Sequence, residues 1–385
     1  MSKPGIAKTV VVTGVGMVTP LGHSAGEILN RIGRGKAAAC KPSFDVTGLP
    51  CPFCAPVTDF DAETYFPENK TLRLMSRDAQ MAVVAAHLAM EDACIKADQT
   101  YSAEDIALYG STGVSSMSVE EITRIIEDAA GPDGSLDLKR FGQVALRRVR
   151  PVLSFRILAN MPICFVSIFE NIRGENSVYT PWEGQCAQAI AAGIRAVKRG
   201  SVPCALVGGC DVKTREFSFI NLHQLGVFES WRCYGRGCIP GEGAAFLVLE
   251  DQERAIARKK RPYARIVDYM VNSVCNHSSL TDTFSSVLSR LKINKKMAVL
   301  AANDGDVTIE EGQQQAFEQV GLEPEQLFSP KLNLGNLFAA AAAVQVGLAA
   351  ELARRSETAQ PFLANCFGYG TEQASFVLEP VWSES

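Results

Sequence analysis

The stretch TPWEGQCAQAI, beginning at Thr180, sets a carboxylate and a thiol three residues apart ahead of an alanine-rich run. A cysteine at the start of a small-residue helix has the makings of a nucleophile, because the helix N-terminus favours the thiolate. That makes Cys186 a candidate, with a buried small hydrophobe as the alternative and better reading of the same residue. Glu183, one helical turn earlier, competes with it for the reacting position. The CPFC at Cys51 has metal-ligand spacing, but without a second pair or suitably placed histidines it predicts no metal site. Of the four histidines, His23, His87, His223 and His277, His87 falls in an alanine-rich apolar stretch and reads as a hydrogen-bonded core residue.

These residues need elements to hold them. TVVVTGVGMVTPLG at Thr9 is a β-branched run broken by glycines, a buried strand entering a turn. EILNRIGRG reads as a short amphipathic helix, and SRDAQMAVVAAHLAMEDACI at Ser76 as a buried one, apolar nearly all round. IALYGSTGVSS, CALVGGCD and GAAFLVLED read as buried strands, while residues 117–150 read as a polar helical excursion. YARIVDYMVNSVC, KMAVLAANDGD and QASFVLEP repeat the strand pattern, with helices at TDTFSSVLSRLKI and NLFAAAAAVQVGLAAELARR. Strands alternating with helices in two successive sets predict an α/β protein of two similar halves, 1–255 and 256–385. The boundary falls where VLEDQERAIARKKRP turns charged and ends in proline.

The chain has 385 residues, 47% hydrophobic and 21% charged, with a net charge of −4. That balance argues against nucleic acid as a partner, which would demand a basic face. RKKRP at Arg258 and LRRVR at Leu146 read as solvated helix ends. The N-terminus carries no apolar run with a cleavage site, and no segment is long and apolar enough to cross a bilayer. Cytoplasmic placement follows, with the twelve cysteines reduced and mostly buried.

Taken in order, VVVTGVGMVTPLG, SRDAQMAVVAA, NMPICFVSI, VGGCD, PGEGAAFLVLE and CFGYGT resemble the β-ketoacyl synthase family of the thiolase fold. The resemblance covers almost the whole chain, apart from the 117–150 excursion and a shortened region after Tyr263. It implies two βαβαβαββ-type halves stacked as a five-layer αβαβα sandwich. In that family a cysteine at a strand-to-helix turn carries the acyl chain, and two histidines polarise a malonyl thioester. Such chemistry needs an activated thiolate and neutral donors aimed at a developing enolate.

The resemblance then locates those positions. Counting without gaps from Gly174–Glu175–Asn176, the nucleophile position falls on Glu183; placing Cys186 there would shift Ile190, Gly200, Gly208 and Gly209 by three residues. LAANDGDVT, anchored by Gly305 and Thr308, puts Asp304 at the first histidine position. KLNLGNLFAAAAA keeps Lys331 and Gly335 but has Asn336 at the second. Glutamate holds no stable thioester, and losing two oxyanion donors costs on the order of 10⁴ in rate. No catalytic residue of the condensation is therefore expected. Two carboxylates about 4 Å apart repel by roughly 4 kcal/mol at an effective dielectric near 20, which a shared proton or Lys331 would relieve.

Within the family the resemblance points to the chain length factor of type II polyketide systems. Such a subunit pairs with an active ketosynthase and shapes a tunnel for the chain carried on an acyl carrier protein. Met161, Phe165 and Phe169 are the candidates for closing the tunnel, and Phe367 matches the family's gating phenylalanine. Glu183 departs from the glutamine usual in aromatic polyketide systems, which leaves the branch open to aryl polyene pigment systems. The alternative function is a malonyl-carrier-protein decarboxylase. Neither reading requires a cofactor, a metal, nucleic acid or a membrane.

Overall fold

The computed structural model describes residues 8–114, 119–149, 153–273, 279–294 and 296–381. Its ten strands are β1 (Val10–Val18), β2 (Ile106–Thr112), β3 (Asn176–Tyr179), β4 (Cys204–Val212) and β5 (Glu242–Asp251), then β6 (Ala264–Ser273), β7 (Lys296–Leu300), β8 (Glu323–Phe328), β9 (Phe362–Cys366) and β10 (Glu372–Glu379). Hydrogen bonds order them β3-β2-β4-β5-β1-β6-β10-β9-β7-β8. Renumbered within each half, that is 3-2-4-5-1 followed by 1-5-4-2-3, so the sheet reads as a palindrome. β1 and β6 join the two sets antiparallel through Val10–Val12 and Ala264–Ile266. The boundary expected at 255/256 lies inside the short helix Gln252–Ala257.

Layering follows from which faces are apolar. The helices Glu183–Arg199 and Ala341–Arg355 are alanine-rich and buried over most of their length. Both touch strands of the two halves, which makes them the central layer. Helix Arg77–Ala93 covers the outer side of β1, β4 and β5, and Leu280–Leu288 covers β6 and β10. Small residues set the spacing: a Cβ on Gly16 would lie 2.1 Å from the Ala85 carbonyl oxygen, so only glycine admits the 77–93 helix this close. The result is the α/β five-layer arrangement that the sequence predicts.

One expectation fails at the RKKRP run. Arg258 is not a solvated helix end: its guanidinium turns inward and meets Glu250 Oε2 at 2.5 Å. Glu250 is fully buried on β5 and also accepts from Thr13 and Tyr101. A buried carboxylate needs a counter-charge, and Arg258 is the residue in reach. His87 also departs from a core position. Its ring is 29% exposed and bridges Glu170 at 3.0 Å and Glu91 at 3.4 Å, so it ties the 77–93 helix to the Met161–Phe169 helix. Among the described residues no helix is long and apolar enough to cross a membrane.

Candidate functional site

Glu183 is the first residue of the helix Glu183–Arg199, with extended Trp182 before it. Its side chain is buried, and Oε2 receives the Lys331 ammonium at 2.5 Å. Lys331 comes from the short helix Pro330–Leu334 and donates a second hydrogen bond, 3.0 Å, to the Phe367 carbonyl. The main chain also presses on the same oxygen: a Cβ on Gly368 would sit 2.6 Å from Glu183 Oε2.

Asp304 lies in the turn that follows β7, where Gly305 takes φ +99°. Its Oδ1 accepts from the Asp306 amide at 3.1 Å, and its Oδ2 accepts from Asn336 Nδ2 at 2.7 Å. Asn336 is itself fully used. Its Oδ1 accepts the Phe338 amide at 2.9 Å, its own N–H donates to Ile239, and its carbonyl accepts from Gly241. Glu183, Asp304, Lys331 and Asn336, four positions spread over 154 residues of chain, thus meet in one buried cluster.

The cluster holds two carboxylates and one ammonium. Burial pushes the Glu183 carboxyl up to about 7, against the pull of Lys331 and with a further push from Asp304. Asp304 is raised as well, first by burial, with Lys331 and the Asn336 amide opposing. Burial also works against the Lys331 ammonium, but Glu183 and Asp304 outweigh it and hold the lysine protonated. One cation cannot fully neutralise both acids, so Glu183 is the group that shares a proton near neutrality. A cavity of about 10 Å³ lies on the side of Lys331 that faces Leu334, Leu337 and Val344, and Glu183, Asp304 and Asn336 do not line it.

Cys186 sits one turn into the helix, wholly buried, its thiol pushed up to about 12 by burial. A thiol so placed is packing material. His23 bonds Tyr65, His223 lies in the helix Glu216–Gln224, and His277 is outside the described residues. The four aromatic and methionine candidates are not brought together. Met161, Phe165 and Phe169 pack with the 77–93 helix, whereas Phe367 stacks on Phe284 at 4.1 Å in a separate cluster of the second half.

Three polar partners of the centre were not singled out by sequence. Tyr369, from the quoted CFGYGT, donates to Asp306 at 3.0 Å. Cys238 faces both Asp304 and Tyr369. Asp211, from the quoted VGGCD, pairs with buried Lys213 at 2.6 Å and accepts the Ala339 amide at 3.2 Å, pinning the turn that follows Asn336. The signal for Asp211 and Tyr369 lay inside stretches already noted, as polar residues next to paired glycines.

Comparison with known proteins agrees with this architecture. Residues 7–255 match the β-ketoacyl synthase N-terminal domain. A 3-oxoacyl-[acyl-carrier-protein] synthase 2 of Synechocystis is 27% identical over 285 residues, 70% of this chain and 64% of that protein, just under two thirds of its length. The tetracenomycin polyketide synthase ketoacyl synthase beta subunit of Streptomyces glaucescens is 25% identical over 366 residues, 88% of this chain and 84% of its own. Among solved structures, the ishigamide ketosynthase/chain length factor superposes with a TM-score of 0.76 at 21% identity, over 98% of this chain and 100% of that one. With the matched domain spanning more than half its length and the fold in agreement throughout, this chain belongs to the β-ketoacyl synthase family.

Proposed function

We propose that this chain is a non-catalytic, chain length factor-like subunit that pairs with an active ketosynthase and shapes the space for a chain carried on an acyl carrier protein. The observation that carries this reading is the closed centre. Where the family places a thiol and two imidazoles, this chain has Glu183, Asp304 and Asn336, bonded to one another or to Lys331. No side chain there offers a free nucleophile or an aimed neutral donor, so condensation has neither of its requirements.

A subunit without chemistry acts by binding, and the two outer edges of the sheet differ in what they offer. β8 carries Glu323, Pro324 and Glu325, the residues that blunt an edge against pairing. β3, the other edge, reads Asn176, Ser177, Val178, Tyr179, with no charge and no proline. The chain leading to it leaves Ile126, Leu136, Leu138, Phe155, Leu158 and Ile168 exposed. Exposed apolar surface on the chain that leads into an unblunted edge supports pairing with a chain of the same fold, which would present the same edge. Met161 and Phe169, half-buried on the helix that bears Ile168, are then the candidates to reach the shared tunnel. Phe367, the candidate for gating, stacks on Phe284 in the second half.

The test is co-expression with an intact ketosynthase from the same genome. Expected are one-to-one co-purification and poor solubility of this chain alone. A soluble homodimer that releases carbon dioxide from malonyl-carrier protein would overturn the reading in favour of decarboxylation.

A further inference from the structure

We infer that Cys40 and Cys54 form a reversible disulfide when the protein meets a peroxide. Cys40 and Cys54 face each other across an isolated antiparallel bridge and exchange both backbone hydrogen bonds at 2.9 Å. Residues directly opposed in this way project their side chains to the same side, with Cα atoms about 5.5 Å apart, inside the roughly 4.4–6.8 Å window of natural disulfides. Their Cβ atoms start wider than a relaxed disulfide wants. The bond would be somewhat strained, hence reducible and fit for reversible use.

The two thiols differ in role. Cys40 is exposed and meets the oxidant; Cys54 is buried behind it. Burial, and then the adjacent Cys40 sulfur, push the Cys54 thiol up to about 12, so it does not compete for the first step. In that step Cys40 sulfur attacks one peroxide oxygen; the S–O bond forms, the O–O bond breaks, and water leaves with the thiol proton. Cys54 sulfur then attacks the sulfenic sulfur; the S–S bond forms, the S–O bond breaks, and the departing hydroxide takes the Cys54 proton as a second water. Two thiols are oxidised and one hydrogen peroxide is reduced to two waters. Cys51 is the nearest rival, but its sulfur is buried and turned to the carbonyls of Phe53 and Cys238.

The bond would close the loop 41–53, whose Phe44, Val46 and Leu49 cover the Phe219–Phe228 cluster. It would also brace the ribbon next to the centre. Ala55 bonds Pro240, and the Pro240–Gly241 segment pairs with Asn336. This inference does not depend on the proposed partner.

The test treats the protein, alone or in its ketosynthase complex, with hydrogen peroxide, alkylates remaining thiols with iodoacetamide and maps the peptides without reduction. Expected is a linked Cys40–Cys54 peptide pair that is lost with dithiothreitol and absent from Cys40→Ser and from Cys54→Ala. A Cys51–Cys54 link, a Cys40–Cys40 link between copies, or Cys40 over-oxidised with Cys54 still alkylatable would overturn it. So would an unmodified Cys40 at a dose that oxidises exposed Cys94 and Cys233.

Discussion

The buried centre and the outer surface of the first half handle their interactions in opposite ways. At the centre, charged and amide groups brought from both halves are buried and bonded inward, to one another. On the outer surface, side chains that a water-facing helix would normally make polar are leucine, isoleucine and phenylalanine. The centre is polar and closed on itself through hydrogen bonds; the surface carries apolar side chains that the described residues leave exposed. The contrast teaches that polar groups can be satisfied within the chain where exposed apolar ones are not, which is the asymmetry the proposed pairing rests on.

The comparison breaks first at Lys331. Lys331→Met leaves Glu183 and Asp304 buried with no cation, which should cost about 3–5 kcal/mol in urea denaturation. Adding Glu183→Gln should recover part of that loss, since it removes one of the two stranded charges. A Lys331→Met protein as stable as the parent would mean that the cluster is not closed by charge pairing.

The outer surface gives the next largest effect. Ile168 is 65% exposed, and Ile168→Glu should weaken ketosynthase binding by on the order of thirtyfold or more, as loss of a central apolar anchor does. Leu327→Glu, on the opposite edge strand β8 and 54% exposed, should leave binding unchanged. Equal effects in a titration of the labelled partner would erase the distinction between the two edges.

The smallest effect is a pH slope. Glu183 titrates near 4.5 when unfolded and about 7 when folded, so between those values the folded state holds the extra proton. Stability therefore falls as pH rises across that window and levels off above it. Asp304 and Asp211 are shifted the same way, so the slope of the parent alone is not diagnostic. The difference between parent and Glu183→Gln isolates Glu183: the variant's denaturation midpoint should decline less over the same pH range.

Much of this was legible in the chain because spacing survives when chemistry does not. The ungapped count from Gly174 led to Glu183, and the Lys331–Gly335 spacing led to Asn336, since those positions are set by turns and helix starts. Glycine anchors are readable because the backbone permits little else there. Lys331 as the counter-charge was also within reach of the sequence, but which acid it pairs with was not. Lys331 reaches Glu183 across 148 residues, and the choice of Asn336 rather than Lys331 as the close partner of Asp304 depends on how two turns are oriented. Arg258 was misread for the same reason: a basic run looks solvated until a buried acid such as Glu250 is placed beside it. The palindromic sheet was also beyond reach, because β3 and β8 are short and carry little of the alternation that marks a strand.

The approach of Gly368 to Glu183 bears on what a cysteine at position 183 would meet. The wall that Gly368 forms against Glu183 is backbone, so it does not retreat when the side chain at 183 shrinks. Glu183→Cys would leave a gap against that wall and a buried lysine facing only Asp304. The new thiol would still lack any imidazole beside it. Restoring a thiol at position 183 alone would therefore loosen the packing there without supplying the imidazoles that would activate it.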